Sequence, residues 1–162
     1  MRFLKRIFIL LVIAFIVIQF FHPEKNISAA PPTRHISKKF PVPDDVAQIL
    51  SNSCYDCHSN NTRYPWYFNI QPVAWWMADH VQEGKKHLNY DEYASYRLRR
   101  QYGKFDDTID MIKDDEMPLP SYLWEHRDTR LSPEQKDKLI AWCNRCKNAM
   151  KAAYPIDSLV KK

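Results

Sequence analysis

The run Cys54-Tyr55-Asp56-Cys57-His58 sets two thiols three positions apart with an imidazole directly after them. At that spacing each thiol can add to one vinyl group of a single porphyrin, and the adjacent imidazole is then held beneath the iron; Cys-x-x-Cys-His is the attachment signature of c-type haem. Two other chemistries also use Cys-x-x-Cys, namely half of a zinc site and a thioredoxin-like dithiol. A second pair, Cys143-Asn144-Arg145-Cys146, is followed by Lys147 rather than histidine, so it carries no second haem signature. It falls inside or late in a C-terminal helical pattern, where no helix N-terminus lowers a thiol pKa. An intrahelical disulfide between Cys143 and Cys146 is the expectation, with free buried thiols as the alternative. All four cysteines together around zinc are the runner-up, and that arrangement leaves His58 without a purpose.

The compartment in which those thiols sit bears on their chemistry. Arg2, Lys5 and Arg6 precede an apolar stretch from Ile7 to Phe21 broken only by Gln19. With Phe3 and Leu4 this is just long enough for a bilayer core of about 30 Å, which needs about 17 to 25 helical residues. Residues 1–22 are therefore expected to be a membrane anchor or signal segment. The small-residue pattern Ser28-Ala29-Ala30 lies well beyond the apolar run and precedes Pro31 and Pro32, a poor cleavage context, so an uncleaved transmembrane helix is the expectation. The positive-inside rule then places a single-pass protein in a bacterial inner membrane with its domain facing the periplasm; cleavage would release it there. An exported thiol pair left unliganded tends to oxidise, whereas haem attachment belongs to that compartment.

Charge excludes one class of partner. The chain has 24 Lys and Arg against 19 Asp and Glu, net +5; taking away Arg2, Lys5 and Arg6 leaves 21 against 19. A nucleic-acid footprint needs clustered positive charge, and Arg97, Arg99 and Arg100 alone read as a solvated helix face. No nucleic acid is expected, and the partners implied are redox proteins together with the membrane.

Residues 23–43, rich in proline, read as an extended tether. A single domain is expected over residues 44–154, with a C-terminal tail over 155–162. Only two glycines occur, Gly84 and Gly103, which leaves few hairpin signals and predicts an all-α fold. The first helix should start after Pro43, with Asp44 and Asp45 at its positive end and Val46, Ile49, Leu50 and Cys54 along one face. Others are expected over 72–87, 90–102 and 106–113, with Gly84 weakening or stopping the first of these. The last has Ser132 as cap, Pro133 in its first turn and Gln135 three residues after the cap, and runs to about Met150. Its stripe of Leu139, Ile140, Trp142, Cys143 and Cys146 should dock on the first helix.

A helix leading into Cys-x-x-Cys-His, a Met-Pro loop and a closing helix resemble the order of parts in a class I c-type cytochrome. More closely, CYDCHSNNTRYPWYFNIQP (54–72), VAWWMADHVQEGKKHLN (73–89), MPLPSYL (117–123) and the stretch from Leu131 to Trp142 resemble the small bacterial family named the haem-binding domain, over roughly residues 40–150. The resemblance implies a cytochrome c-like fold around one covalent haem c. Cys54 and Cys57 would form the thioethers and His58 would be the proximal iron ligand. Met117, between Glu116 and Pro118, is the best candidate for the distal ligand, a pairing that raises the reduction potential relative to two imidazoles. Met77 and His80 are lower-ranked distal candidates on an apolar helix face, and His87 and His126 rank lower still. A backbone carbonyl near Pro65 or Pro72 is expected to accept the proximal imidazole N–H. Trp66, Trp75 and Trp76 are candidates for lining the haem.

Function turns on the sixth iron position. Closed by Met117, it makes the protein an electron carrier; open or displaceable, it makes a haem sensor or a peroxidase-like enzyme with His80 or His126 as distal helper.

Overall fold

The computed structural model describes residues 1–160, so the end of the expected tail, residues 161 and 162, lies outside the described residues. Seven α-helices account for most of the described residues: α1 (Arg2–Ile18), α2 (Asp44–Ser53), α3 (Tyr55–His58), α4 (Val73–His87), α5 (Leu98–Lys113), α6 (Pro133–Ala153) and α7 (Ile156–Leu159). Short 3-10 turns join them, and the described residues contain no strand, only one antiparallel bridge between Ile27 and Asn61. The expected all-α class is what the chain adopts.

The scaffold is α2, α5, α6 and α7. Asp44 and Asp45 occupy the first turn of α2, where carboxylates complement the unpaired N–H groups, and Val46, Ile49 and Leu50 turn inward. Helix α6 has the capping box its sequence announces: the Ser132 hydroxyl accepts from the Gln135 N–H, and the Gln135 side chain accepts from the Ser132 N–H at 2.8 Å. Its buried face, Leu139, Trp142, Cys143, Cys146 and Met150, packs chiefly on Tyr102, Phe105, Ile109 and Ile112 of α5 and also meets α2. Trp142 is the largest fully buried side chain; Phe105 meets it edge-on at 5.8 Å and its indole N–H donates to the Pro41 carbonyl at 3.0 Å.

The two helices expected over 90–102 and 106–113 are in fact one 3-10 turn and one longer helix. The Asn89 side chain caps Tyr90–Ser95 by accepting from the Asp91 N–H. Helix α5 then runs through Gly103, where a Cβ would meet nothing within 4 Å, so this glycine weakens the helix without marking its end. Within the expected tail, α7 packs on α5 and buries Leu159, so residues 156–159 belong to the domain.

The largest correction concerns the N-terminus. Among the described residues no helix is long and apolar enough to cross a membrane, so the expected transmembrane helix, and the single-pass inner-membrane placement built on it, are not supported. Helix α1 has 17 residues, and its charged start leaves a charge-free part of only Ile7–Ile18. At about 1.5 Å per residue that part spans roughly 18 Å of a hydrocarbon core of about 30 Å. Past α1 the chain tightens into i→i−3 turns, the N–H groups of Phe20 and Phe21 donating to the Val17 and Ile18 carbonyls, while the Gln19 side chain donates to the Gln71 carbonyl at 3.2 Å and accepts from the Gln71 N–H at 2.9 Å.

Nor is the stretch after it a free tether. The Phe21 carbonyl accepts from Gln71 Nε2 and Trp75 Nε1, each at 2.8 Å, and Asn26 bonds to Tyr64, Ser59 and Thr62. Farther on, Ile36 and Phe40 enter the core. Residues 19–28 are thus a strap laid across the loop that follows the cysteine motif.

Candidate functional site

Helix α3 is a single turn set directly after α2, so Cys54, Cys57 and His58 are delivered by the end of a scaffold helix. The N–H groups of Cys57 and His58 donate to the Cys54 carbonyl at 3.2 and 3.0 Å, which closes the turn. Both thiols are free and half-buried. Burial pushes the Cys54 thiol up to about 12 and the Cys57 thiol up to about 11, so both are protonated at neutral pH.

Helix α4 crosses this turn at Gly84. A Cβ there would lie 2.7 Å from the Cys57 carbonyl oxygen, an approach only glycine permits. The crossing brings the end of α4 to His58, whose Nδ1 lies 3.0 Å from the Gly84 carbonyl and 2.9 Å from the Leu88 carbonyl. Two carbonyls accept and cannot donate, so Nδ1 carries the proton and the Nε2 lone pair is left for another partner. Burial lowers the pKa of His58, which keeps the ring neutral and in its ligand form. The acceptors are therefore carbonyls at the C-terminal end of α4 and not those near Pro65 or Pro72; the Gly84 oxygen also accepts from the Leu88 N–H at 2.9 Å, which closes the helix. A glycine inside a helical pattern is the sequence signal for such a close crossing; Gly84 was expected to weaken or stop the helix, and α4 runs through it to His87, the end expected for this helix.

Asp56, between the two cysteines, is a polar hub that sequence reasoning did not single out. Its buried carboxylate accepts from Arg63 Nε at 3.0 Å, Arg63 Nη2 at 3.1 Å and the Arg63 backbone N–H at 3.1 Å. The Tyr122 hydroxyl donates to the same carboxylate at 2.8 Å. Burial and that hydrogen bond push the Tyr122 phenol well above its ordinary range, so the O–H stays a donor. Tyr122 stacks on His126 at 4.4 Å, and His126 Nε2 is hydrogen-bonded to the Tyr67 hydroxyl at 2.8 Å.

These contacts hold the segment bearing Met117 against the motif. Helix α5 ends as Asp115 takes a left-handed conformation, φ 57°, and the N–H groups of Glu116 and Met117 turn back to the Met111 carbonyl. Met117 is half-buried and lines a cleft of about 620 Å³ with Leu123, Trp124 and Leu131, rimmed by the cations Arg127 and Arg130. Cys54, Cys57 and His58 belong to the neighbouring α3 turn rather than to that cleft.

The other candidates lie elsewhere. Met77 is half-buried on α4, while His80 uses Nδ1 on the Trp76 carbonyl one turn back and sets its ring at a tilt against Trp76, 4.5 Å between centroids. His87 is exposed beside Glu83. Trp66, Trp75 and Trp76 are all exposed, and the indole in the Met117 cleft is that of Trp124, which sequence reasoning passed over. Lys85 reaches Asn26 of the strap and Lys86 pairs with Glu83. Cys143 and Cys146 are free and buried on α6 rather than joined as a disulfide.

Among the described residues no group of three or more His, Cys, Asp or Glu side chains is placed to hold a metal ion, so the four-cysteine zinc arrangement has no donor set. A neutral imidazole with Nε2 free, two thiols on one turn beside it, and a thioether on a loop held to that turn suit a haem instead. The class that fold and site together suit is a helical haem-binding domain. Residues 13–145 match the haem-binding domain family, and the chain belongs to it: this is a haem-binding protein. The match begins inside α1 and takes in the strap, well before the residue-40 boundary of the sequence resemblance. No curated protein and no solved structure matches the chain.

Proposed function

We propose that this haem-binding protein is a mono-haem c-type cytochrome that carries electrons. In this reading Cys54 and Cys57 form the thioethers, His58 Nε2 is the proximal iron ligand and Met117 Sδ the distal one. The observation that carries it is His58 itself. Two backbone carbonyls fix its proton on Nδ1, and the two thiols that could anchor a porphyrin lie within four residues of it. Thioether formation adds each S–H across one vinyl double bond, so protonated thiols are suitable starting groups. A bound haem would supply a one-electron iron couple. The chain's own part is to fix the axial imidazole, present the thioether and bury the motif; one electron enters and one leaves with no bond made or broken in the protein. Redox proteins are the partners this implies.

The test is spectroscopic. Haem should stay with the polypeptide through denaturation and solvent extraction, and its loss with the solvent would reject covalent attachment. The oxidised protein should show a sulfur-to-iron charge-transfer band that Met117→Ala abolishes. Prompt carbon monoxide binding by the reduced wild type would instead support a sensor or peroxidase-like role with an open sixth position.

A further inference from the structure

We propose that Tyr122 and Asp56 form a latch that holds the Met117 loop closed over the haem attachment turn and so governs access of external ligands to the sixth iron position. The proposal rests on Met117 being the distal ligand.

The two halves of the latch differ in how they are held. Asp56 is buried and held on several sides: it lies between the two attachment cysteines, and its carboxylate accepts three hydrogen bonds from Arg63 besides that of the tyrosine. The loop is the opposite. No residue from Met117 to Asp128 is buried, and the first buried residue after Met117 is Thr129. Its backbone bonds are local, with the N–H groups of Tyr122 and Leu123 both donating to Leu119 and that of His126 to Tyr122. Such a segment is a self-contained turn, and its placement depends on a few side-chain hydrogen bonds rather than on a core. Of its side chains, Tyr122 reaches the attachment motif and His126 reaches Tyr67. The downstream end is fixed independently, since Asn52 and Ser53 of α2 donate to the carbonyls of Asp128 and Thr129 at 3.2 and 2.8 Å. The Tyr122 contact therefore ties the free part of the loop to the residue between the two thiols.

The experiment uses full-length, haem-loaded protein. Tyr122→Phe keeps the ring and its stacking on His126 and removes only the hydroxyl. Covalent haem should be retained, the charge-transfer band should weaken, and carbon monoxide binding by the reduced protein should accelerate roughly tenfold or more, the scale of one hydrogen bond to a charged group. Asp56→Asn should give the same signature, because its amide NH2 must face donors already present. In a Met117→Ala background, adding Tyr122→Phe should change carbon monoxide binding by less than about twofold, since the latch acts only through Met117; additive effects would reveal a merely structural role and overturn the proposal. A full band and slow carbon monoxide binding in both Tyr122→Phe and Asp56→Asn would overturn the latch alone. A wild type without the band would overturn the latch and the distal-ligand reading together.

Discussion

The scaffold and the site treat their tryptophans in opposite ways. Trp142, in the α5–α6 interface, is 1% exposed, whereas Trp66 and Trp124, on the two loops flanking the motif, are 75% and 72% exposed. The same contrast holds for what fixes the backbone. Helices α2, α5, α6 and α7 are held by apolar side chains meeting across helix faces, while the loops around Cys54, Cys57 and His58 are held by side-chain hydrogen bonds to carbonyls and to one carboxylate. Burial is non-directional and roughly additive in area, so the scaffold can be rigid without fixing any one atom. Hydrogen bonds fix direction, which is what an iron ligand requires. One half of the molecule supplies stability and the other supplies aim.

That division predicts the largest effect in the scaffold. Trp142→Ala removes the biggest buried side chain together with its bond to Pro41, and should cost about 3–5 kcal/mol of folding stability. The loss is read from the denaturant midpoint, and the haem spectrum of the folded fraction should be unaltered. A midpoint close to wild type, or an altered axial spectrum, would break the separation of the two halves.

Gly84→Ala tests the site half. In an exposed helix interior this change would gain about 1 kcal/mol from helix propensity. Here the new Cβ would sit 2.7 Å from the Cys57 carbonyl oxygen, a backbone atom that cannot rotate away. Overpacking of that kind costs about 1–3 kcal/mol, so the clash outweighs propensity. Relief requires α4 to draw back from the α3 turn, which loosens both carbonyls on His58. The expected result is a modest fall in stability with a disproportionate fall in haem loading, measured as covalent haem per polypeptide. Full loading and an unchanged spectrum would mean the crossing does not aim the imidazole.

The same division decides what the sequence made legible. Helices α2, α4 and α6 and the capping box at Ser132 follow from apolar periodicity and local caps, both properties of neighbouring residues. The motif Cys54-x-x-Cys57-His58 is likewise local. Tyr122 meets Asp56 across 66 positions and the Nδ1 of His58 meets Leu88 across 30, and no local pattern encodes such pairs. Helix α1 misled for a related reason: hydropathy counts apolar residues, but the helix closes in tight turns at Gln19, whose side chain is bonded to Gln71, 52 positions away. The strap was read as a tether because proline content registers local stiffness and carries no information on docking.

The smallest effect falls where the halves meet. The ring of His35 joins the chain ahead of α2 to the motif: Nδ1 accepts from the Ser37 N–H at 3.2 Å, so Nε2 carries the proton and faces the Tyr55 hydroxyl at 3.2 Å. Burial lowers its pKa below the ordinary 6.5; the Asp91 charge opposes this shift and Lys38 reinforces it. Because the folded-state value lies below the unfolded one, the unfolded chain binds the extra proton first. The His35 contribution is therefore complete above about pH 6.5 and is lost as pH falls through the lower folded value. Protonating Nδ1 would also remove the acceptor for Ser37. His35→Asn retains a capping oxygen without a titrating ring, so subtracting its stability profile from that of the wild type should isolate a decline on acidification from pH 7 to 5. Parallel profiles would mean that the ring is solvated in both states, and that this junction is held by packing as the scaffold is rather than by directed bonds as the site is.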